Sequence, residues 1–205
     1  MKKFLIADDH HIVRTGLGFL IRTEFMPVEI DECRDGRSAW EKMQASAYDL
    51  VILDIGMPYM DPLGLMKKAL DHRPDQKILI LTMSSEEVYA RKYLRLGAKG
   101  FVNKEAPPSE IRQAIVSILN NRRYLSPKVK ETLMLEMLDP EAKNRFDVLS
   151  ARELEIMNHL ADGKFVSEIA RMLSLHISTV STHKATIMKK LGVANVIELN
   201  RLVGK

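Results

Sequence analysis

Five polar residues of the first half of the chain each stand at the end of a short apolar run. They are Asp8, Asp9, Asp54, Thr82 and Lys104. Carboxylates brought to roughly 4 Å repel one another by about 4 kcal/mol per pair at an effective dielectric constant near 20, so a cluster of three needs a counter-charge. A hard divalent cation is the natural one, because oxygen ligands with open water positions suit Mg²⁺. The set therefore predicts a divalent-cation site with an amine beside it.

These residues meet only if the elements around them form one sheet. Up to about residue 125 the chain alternates apolar strands with helical patterns, and the predicted strands cover 4–7, 28–32, 50–54, 78–82 and 100–102. Such alternation is typical of a parallel sheet with helices on both faces. Because ligands bind beyond the carboxyl ends of such strands, the polar residues share one rim. We predict a flavodoxin-like, doubly wound α/β domain with a five-stranded parallel sheet over 1–125.

The strand–helix repeat stops after this domain. Residues 126–145 form a predicted linker with a helix over 129–138, and Pro127 and Pro140 break the chain on either side of it. Residues 146–205 form a predicted all-α domain with helices over 150–161, 166–173, 179–191 and 196–203. A turn of about four residues separates the second helix from the third, which is the helix-turn-helix pattern.

Charge and composition restrict the partners and the cellular compartment that we expect for the protein. The chain has 205 residues and a net charge of +4, yet residues 146–205 hold eight basic against six acidic side chains, so composition alone does not indicate a nucleic-acid partner. No apolar run approaches the roughly 18 residues that span a bilayer. The lone cysteine, Cys33, excludes an internal disulfide and indicates a reducing compartment. We expect a cytoplasmic protein without a membrane partner.

Short motifs in both halves resemble a known family. LIADDH, LVILDIGMP, Thr82 and GFVNK resemble the receiver domain of two-component response regulators. LSARELEIM, EIARML and STVSTH followed by IMKKLGV resemble the LuxR-type helix-turn-helix. Because the motifs occur in the same order as in the family, the whole chain is similar to the NarL/FixJ family of transcriptional regulators.

The resemblance implies phosphotransfer at the rim of the sheet. It implies that Asp54 accepts a phosphoryl group from a sensor histidine kinase, and that Mg²⁺ is held by Asp8, Asp9, Asp54 and the backbone carbonyl of Gly56. Elementary chemistry agrees, because a carboxylate is a competent nucleophile toward phosphorus and positive charge stabilises the transferred oxygens.

The resemblance also assigns a switch. Lys104 supplies an amine to the phosphoryl group, and Thr82 turns its hydroxyl toward the new phosphoryl oxygen. Phe101, in the position of the family's switch aromatic, turns inward to fill the space that Thr82 leaves. The added charge is the local event, and the segments around Thr82 and Phe101 form the bistable element.

For the second domain the resemblance implies binding of double-stranded promoter DNA as a homodimer that forms on phosphorylation. The candidate contacts lie on the predicted helix 179–191, and they are Ser181, Thr182, Lys184, Ala185, Thr186 and Lys189. The family commonly has Lys at the position of Ser181 and Asn-Lys at the positions of Val166 and Ser167. Each lost phosphate contact lowers affinity through counterion release. A phosphorylated adaptor whose second domain binds protein is therefore the alternative.

Enzymatic functions are weaker interpretations. Aspartyl-phosphate phosphatases of this fold need a second acid two residues after the nucleophile, where this chain has Gly56. Neither a GxGxxG nor a P-loop pattern is present. We expect a phosphoryl acceptor that can dephosphorylate itself, and not a dedicated enzyme. His10 and His11 lack a third histidine at ligand spacing, which favours an exposed pair.

Two further departures from the family lead to local predictions. Pro62 replaces a usual glycine, which predicts a stiffer loop after Asp54. His176 stands where the family usually places a serine or threonine helix cap, a change that costs about 1 kcal/mol unless another residue caps the helix. We predict that Ser178 takes over and that the helix begins near Thr179.

Overall fold

The computed structural model describes residues 1–57, 60–138, 145–173 and 175–203. The chain forms two compact units, Met1–Leu133 and Met134–Lys205. The division between them falls within the predicted linker, whose second break at Pro140 lies outside the described residues. Within these ranges, no helix is long and apolar enough to cross a membrane.

The first unit contains a parallel sheet with the strand order β2-β1-β3-β4-β5-β6. The strands are β1 (Lys2–Ala7), β2 (Val28–Cys33), β3 (Leu50–Leu53), β4 (Ile78–Thr82), β5 (Gly100–Asn103) and β6 (Tyr124–Leu125). The α/β prediction is confirmed, and five of these strands lie where the sequence placed them. The sixth, β6, was not predicted, because two residues that pair with Gly100 and Phe101 carry no periodicity of their own.

Within the described part of the chain, six helices belong wholly or in part to this unit. They are α1 (His11–Phe25), α2 (Gly36–Ala45), α3 (Pro62–His72), α4 (Glu86–Leu96), α5 (Pro108–Leu119) and α6 (Pro127–Leu138). Phe4 and Ile6 of β1 point into a cluster that includes Leu17 of α1 and Ile115 of α5. Leu5, on the opposite face of the same strand, is equally buried. Strands buried on both faces read as continuous apolar runs, which is why the sequence indicated this architecture.

Pro62 is accommodated as the first residue of α3. Its missing N–H costs nothing there, because the first amides of a helix have no partner within the helix. The preceding Asp61 caps the helix, since its side chain accepts a hydrogen bond of 2.9 Å from the N–H of Gly64. The departure from the family's glycine therefore gives a capped helix start after Asp54.

The second unit is helical. After a 3-10 turn at Arg145–Val148 it contains α7 (Ala151–Ala161), α8 (Val166–Met172), α9 (Ile177–Leu191) and α10 (Val196–Val203). Its core brings together side chains from α7, α8, α9 and α10: Leu154, Met157, Ile169, Val180, Ile187, Leu199 and Val203. Ser150 and Glu153 form a reciprocal capping box at the start of α7. The predicted all-α domain is confirmed, although Ser174 of its turn lies outside the described residues.

The prediction for the start of α9 is wrong. Regular helix begins at Ile177, two residues earlier than expected, and Ser178 lies inside the first turn. His176 is the N-cap residue, and in this described turn its side chain makes no capping bond. Its carbonyl instead accepts from the N–H groups of Thr179 and Val180, at 3.0 and 3.2 Å. A capping preference of about 1 kcal/mol is too weak to decide where the helix starts.

Candidate functional site

The rim of the sheet brings Asp8, Asp54 and Lys104 together. Asp8 and Asp54 follow the last residues of β1 and β3, which are neighbours in the sheet. The N–H of Asp54 donates to the carbonyl of Ala7 at 2.8 Å, which continues the ladder by one residue beyond the strands. Both carboxylates are almost completely buried, with 2% and 3% of Asp8 and Asp54 exposed. The sequence predicts a divalent cation as the counter-charge of these acids. Two buried anions side by side in any case require a positive charge next to them.

Lys104 provides that charge. Its Nζ lies 2.6 Å from Oδ2 of Asp8 and 2.6 Å from Oδ2 of Asp54. Burial disfavours the charged ammonium, but the carboxylates of Asp54 and Asp8 outweigh this effect and raise the pKa of Lys104 above its usual value. The side chain therefore remains an ammonium at neutral pH. It comes from the end of β5, where its N–H also donates to the carbonyl of Thr82 at 2.9 Å.

The cation-binding potential of the rim extends to Asp9 and His10. One ligand atom from each of Asp8, Asp9, His10 and Asp54 lies within 4.8 Å of the others. Nδ1 of His10 is 2.8 Å from Oδ1 of Asp9 and 3.2 Å from Oδ1 of Asp8. From the sequence, His10 is expected only as one of an exposed pair with His11. The signal that could have placed it here is its position two residues after Asp8, in a turn where its N–H also reaches Oδ1 of Asp8 at 2.8 Å.

Gly56 contacts the central carboxylate through its backbone. Its N–H donates to Oδ1 of Asp54 at 2.8 Å. Lys104 and Gly56 thus hold different oxygens of the same carboxylate, which fixes the plane of the group.

The two predicted switch residues lie on the neighbouring strands. Thr82 ends β4 and is fully buried, with its Oγ1 accepting from the N–H of Ser84 at 3.3 Å. Phe101 of β5 is also fully buried, and its ring centroid lies 6.0 Å from that of Tyr93. In this structure the aromatic side chain is therefore in an inward position. Met83 is about half exposed beside Thr82.

The candidate DNA contacts in the second unit divide into two groups. Ser181, Thr182, Ala185 and Lys189 are exposed, whereas Lys184 and Thr186 are half-buried. Ser178, which is not among the predicted contacts, is also exposed and shares a face with these residues at helical spacing, four positions before Thr182.

Part of the positive charge of α9 is used within the fold. Nζ of Lys190 lies 2.7 Å from Oε2 and 2.8 Å from Oε1 of the buried Glu153 on α7. Burial opposes the charge of Glu153, but its bonds with Lys190 and with Ser150 lower its pKa below the usual value. Both Lys189 and Lys190 are exposed, but the ammonium group of Lys190 is paired with Glu153.

Comparison with known proteins agrees with this geometry. Residues 4–116 match the response regulator receiver domain, and residues 147–203 match the luxR family of bacterial regulatory proteins. The oxygen regulatory protein NreC of Staphylococcus carnosus is 36% identical, and the match covers 96% of this chain and 94% of that protein. NreC of Staphylococcus aureus strain MRSA252 is 35% identical with the same coverage.

Solved structures of RcsB resemble the whole chain. RcsB from Salmonella enterica serovar Typhimurium, bound to the rprA promoter in the presence of the phosphomimetic BeF3−, is 28% identical with a TM-score of 0.75, covering 100% of this chain and 98% of that one. A structure of two RcsB dimers bound to two parallel DNAs is 28% identical with a TM-score of 0.72, covering 100% and 99%. The chain belongs to the response regulators of the NarL/FixJ family, which join a receiver domain to a LuxR-type DNA-binding domain.

Proposed function

We propose that Asp54 accepts the phosphoryl group and that a sensor histidine kinase donates it. The observation that carries this proposal is the buried triad in which Lys104 lies 2.6 Å from both Asp8 and Asp54. In the transfer, a carboxylate oxygen of Asp54 attacks phosphorus and forms an O–P bond. The N–P bond of the kinase's phosphohistidine breaks, and its electron pair goes to the departing histidine nitrogen.

The residues of the rim fit Mg²⁺. Asp8, Asp9 and Asp54 supply hard carboxylate oxygens close together at an edge open to water, since Asp9 is exposed. The carbonyl of Gly56 is the fourth proposed ligand. When bound, Mg²⁺ neutralises charge on the oxygens of the transferred group. Lys104 binds a phosphoryl oxygen in its place beside Asp54, as a second positive charge that is already present in the fold.

Thr82 and Phe101 are the proposed switch pair. The hydroxyl of Thr82 turns from Ser84 to the phosphoryl oxygen, and Phe101 keeps its inward position against Tyr93. The chain is a transcription regulator, so the proposed later loss of phosphate is a reset of this switch. In that step water attacks phosphorus and Asp54 departs as a carboxylate.

The proposed output is binding of promoter DNA by the exposed face of α9. RcsB, which the chain resembles along its full length, has been solved on promoter DNA and as dimers on DNA. A homodimer would present two such faces to two half-sites about one helical turn apart. One observation favours the alternative in which the second domain binds protein: the exposed face of α9 carries little positive charge.

The assignment of Asp54 is tested by phosphorylation with acetyl phosphate and Mg²⁺. The wild-type chain should gain the mass of one phosphoryl group, whereas Asp54→Asn should gain none because an amide is a poor nucleophile. Asp71→Asn, which alters an exposed aspartate at the end of α3, is the matched control and should be modified like the wild type. A phosphoryl mass that persists in Asp54→Asn would overturn the assignment.

A further inference from the structure

Glu86 is a buried carboxylate that the proposed transfer does not use. It is the first residue of α4 and is 8% exposed. Its Oε1 accepts a hydrogen bond of 3.1 Å from the N–H of Asn103, the last residue of β5. Its Oε2 accepts from the hydroxyl of Ser126, the residue between β6 and α6. One side chain therefore joins three elements that are far apart in the sequence.

The bond to Ser126 continues into α6. Oγ of Ser126 accepts from the N–H of Val129 at 3.2 Å, and the carbonyl of Ser126 accepts from the N–H of Lys130 at 3.0 Å. Ser126 is thus the N-cap of α6, and both it and Val129 are buried. Because Glu86 accepts the hydroxyl proton, it orients the Ser126 oxygen so that the lone pair faces the helix. The position of Glu86 consequently affects the first turn of α6.

Glu86 is also linked, through its neighbours, to Thr82 and Lys104 of the proposed phosphoryl site. Three residues separate it from Thr82, and one of them, Ser84, donates its N–H to Oγ1 of Thr82. The partner of its Oε1, Asn103, directly precedes Lys104 and donates its Nδ2 to the carbonyl of Ser84 at 3.4 Å. The segment from Thr82 to Glu86 is therefore held near its start by the bond between Ser84 and Thr82. At its end it is held by the bonds of Glu86 to Asn103 and Ser126.

We propose that Glu86 is a positioning residue that transmits phosphorylation of Asp54 to α6. The proposal rests on the proposed function, in which the phosphoryl oxygen takes the hydroxyl of Thr82 away from Ser84. The segment after Thr82 is then released and Glu86 moves with it. Asn103, the partner of one bond, is part of β5 in the sheet. Ser126, the partner of the other bond, lies between the two-residue strand β6 and the start of α6. The Ser126 bond is the one that weakens, and the first turn of α6 loosens.

This location gives the coupling a physical route out of the receiver domain. Residues 127–138 of α6 run across the division between the two compact units. A change in the capping of this helix therefore alters the segment that connects the site of phosphorylation with the DNA-binding domain. The two-state element is the cap of a single helix, which both the phosphoryl group and the linker can bias.

Hydrogen exchange of the full chain tests this proposal. Peptides that cover residues 127–134 are followed by mass spectrometry before and after treatment with acetyl phosphate and Mg²⁺. We expect exchange at Val129 and Lys130 to accelerate roughly tenfold on phosphorylation, the size that follows from losing one hydrogen bond to a charged group. In Ser126→Ala and Glu86→Gln these amides should already exchange fast, and phosphorylation should change them little. Ser126→Thr keeps the hydroxyl and should restore the response.

Tyr124→Phe is the matched control. Tyr124 lies two residues before Ser126, and its hydroxyl donates to the carboxylate of Glu110 at 3.1 Å. The substitution removes this bond and leaves the bonds of Glu86 in place. It should respond to phosphorylation like the wild type. The proposal is overturned if wild-type α6 does not change although the phosphoryl mass is present, or if Ser126→Ala responds like the wild type. Absence of the phosphoryl mass in the wild type would instead refute the proposed function, and this inference with it.

Discussion

At the scale of single residues, the arrangement of Lys104 explains why two buried carboxylates are stable side by side. The ammonium group of Lys104 contacts Oδ2 of both Asp8 and Asp54. The N–H of His10 donates to Oδ1 of Asp8, and the N–H of Gly56 donates to Oδ1 of Asp54. Removal of one partner from such a set leaves an unpaired buried charge, which costs about 3–5 kcal/mol. The rim is therefore organised before any cation or phosphoryl group binds, and binding requires little rearrangement of the acidic side chains.

A cation at this rim should stabilise the receiver domain. Binding to the folded state alone adds about 2.7 kcal/mol at a ligand concentration of 100 times Kd, because the unfolded chain lacks the site. We expect millimolar Mg²⁺ to raise the Tm of the wild-type chain in thermal unfolding. Asp9→Asn, which removes the most exposed of the three carboxylates, should reduce this shift by more than half. Asp71→Asn should keep it, and an equal shift in Asp9→Asn would show that Mg²⁺ binds elsewhere.

At the scale of elements, the start of α9 offers room for a gain in stability. His176 occupies the N-cap position with extended backbone, which suits a capping side chain, yet its imidazole does not cap the described first turn. We expect His176→Ser to stabilise the second unit by about 1 kcal/mol in urea unfolding, because the new hydroxyl can accept from a first-turn N–H. Ser178→Ala should not lose a comparable amount. The reverse order of the two effects would mean that Ser178 caps the helix in solution.

The ion pair between α7 and α9 should make the second unit sensitive to acid. Glu153 has a lowered pKa in the folded state, so its contribution is present above its usual value of 4.5 and is lost as the pH falls through the folded-state pKa. We expect protection of α9 amides from hydrogen exchange to decrease below about pH 4.5, with a contribution of about 1–3 kcal/mol. Glu153→Gln should flatten this decrease and lower stability at neutral pH. Glu198→Gln, at an exposed carboxylate of α10, should leave the profile unchanged.

The elements that the sequence predicted well are those buried on both faces. β1, β3 and β4 contain the apolar runs 4–7, 50–53 and 78–81, and the polar residues that follow these runs could be placed on one rim from topology alone. The start of α9 and the two-residue β6 depend on tertiary packing, which the local pattern does not contain. Glu86 is similar: no sequence spacing relates it to Asn103 and Ser126, because their contact arises where α4, β5 and α6 meet.

At the scale of the whole molecule, the chain consists of two units whose chemistry is separate. The proposed phosphoryl chemistry belongs to the rim of the first unit, and the proposed DNA-binding face of α9 belongs to the second. That face offers Lys189 and several small hydroxyl side chains, so one copy gains little from counterion release. Two copies on adjacent half-sites add their binding free energies, and affinity then depends on the dimer population. To move that population from 1:99 to 99:1 takes about 5.5 kcal/mol, so we expect a graded, concentration-dependent switch.

In the proposed function, phosphorylation of Asp54 controls the binding of DNA. The most direct measurement is the affinity of the full chain for duplexes selected from a random library, with and without acetyl phosphate, and with sedimentation of the same samples across a concentration series. We predict that phosphorylation raises both the dimer fraction and the DNA affinity of the wild type, the latter at least tenfold, and that Asp54→Asn shows neither effect. Equal association constants and equal DNA affinity in the two forms of the wild type would contradict the account.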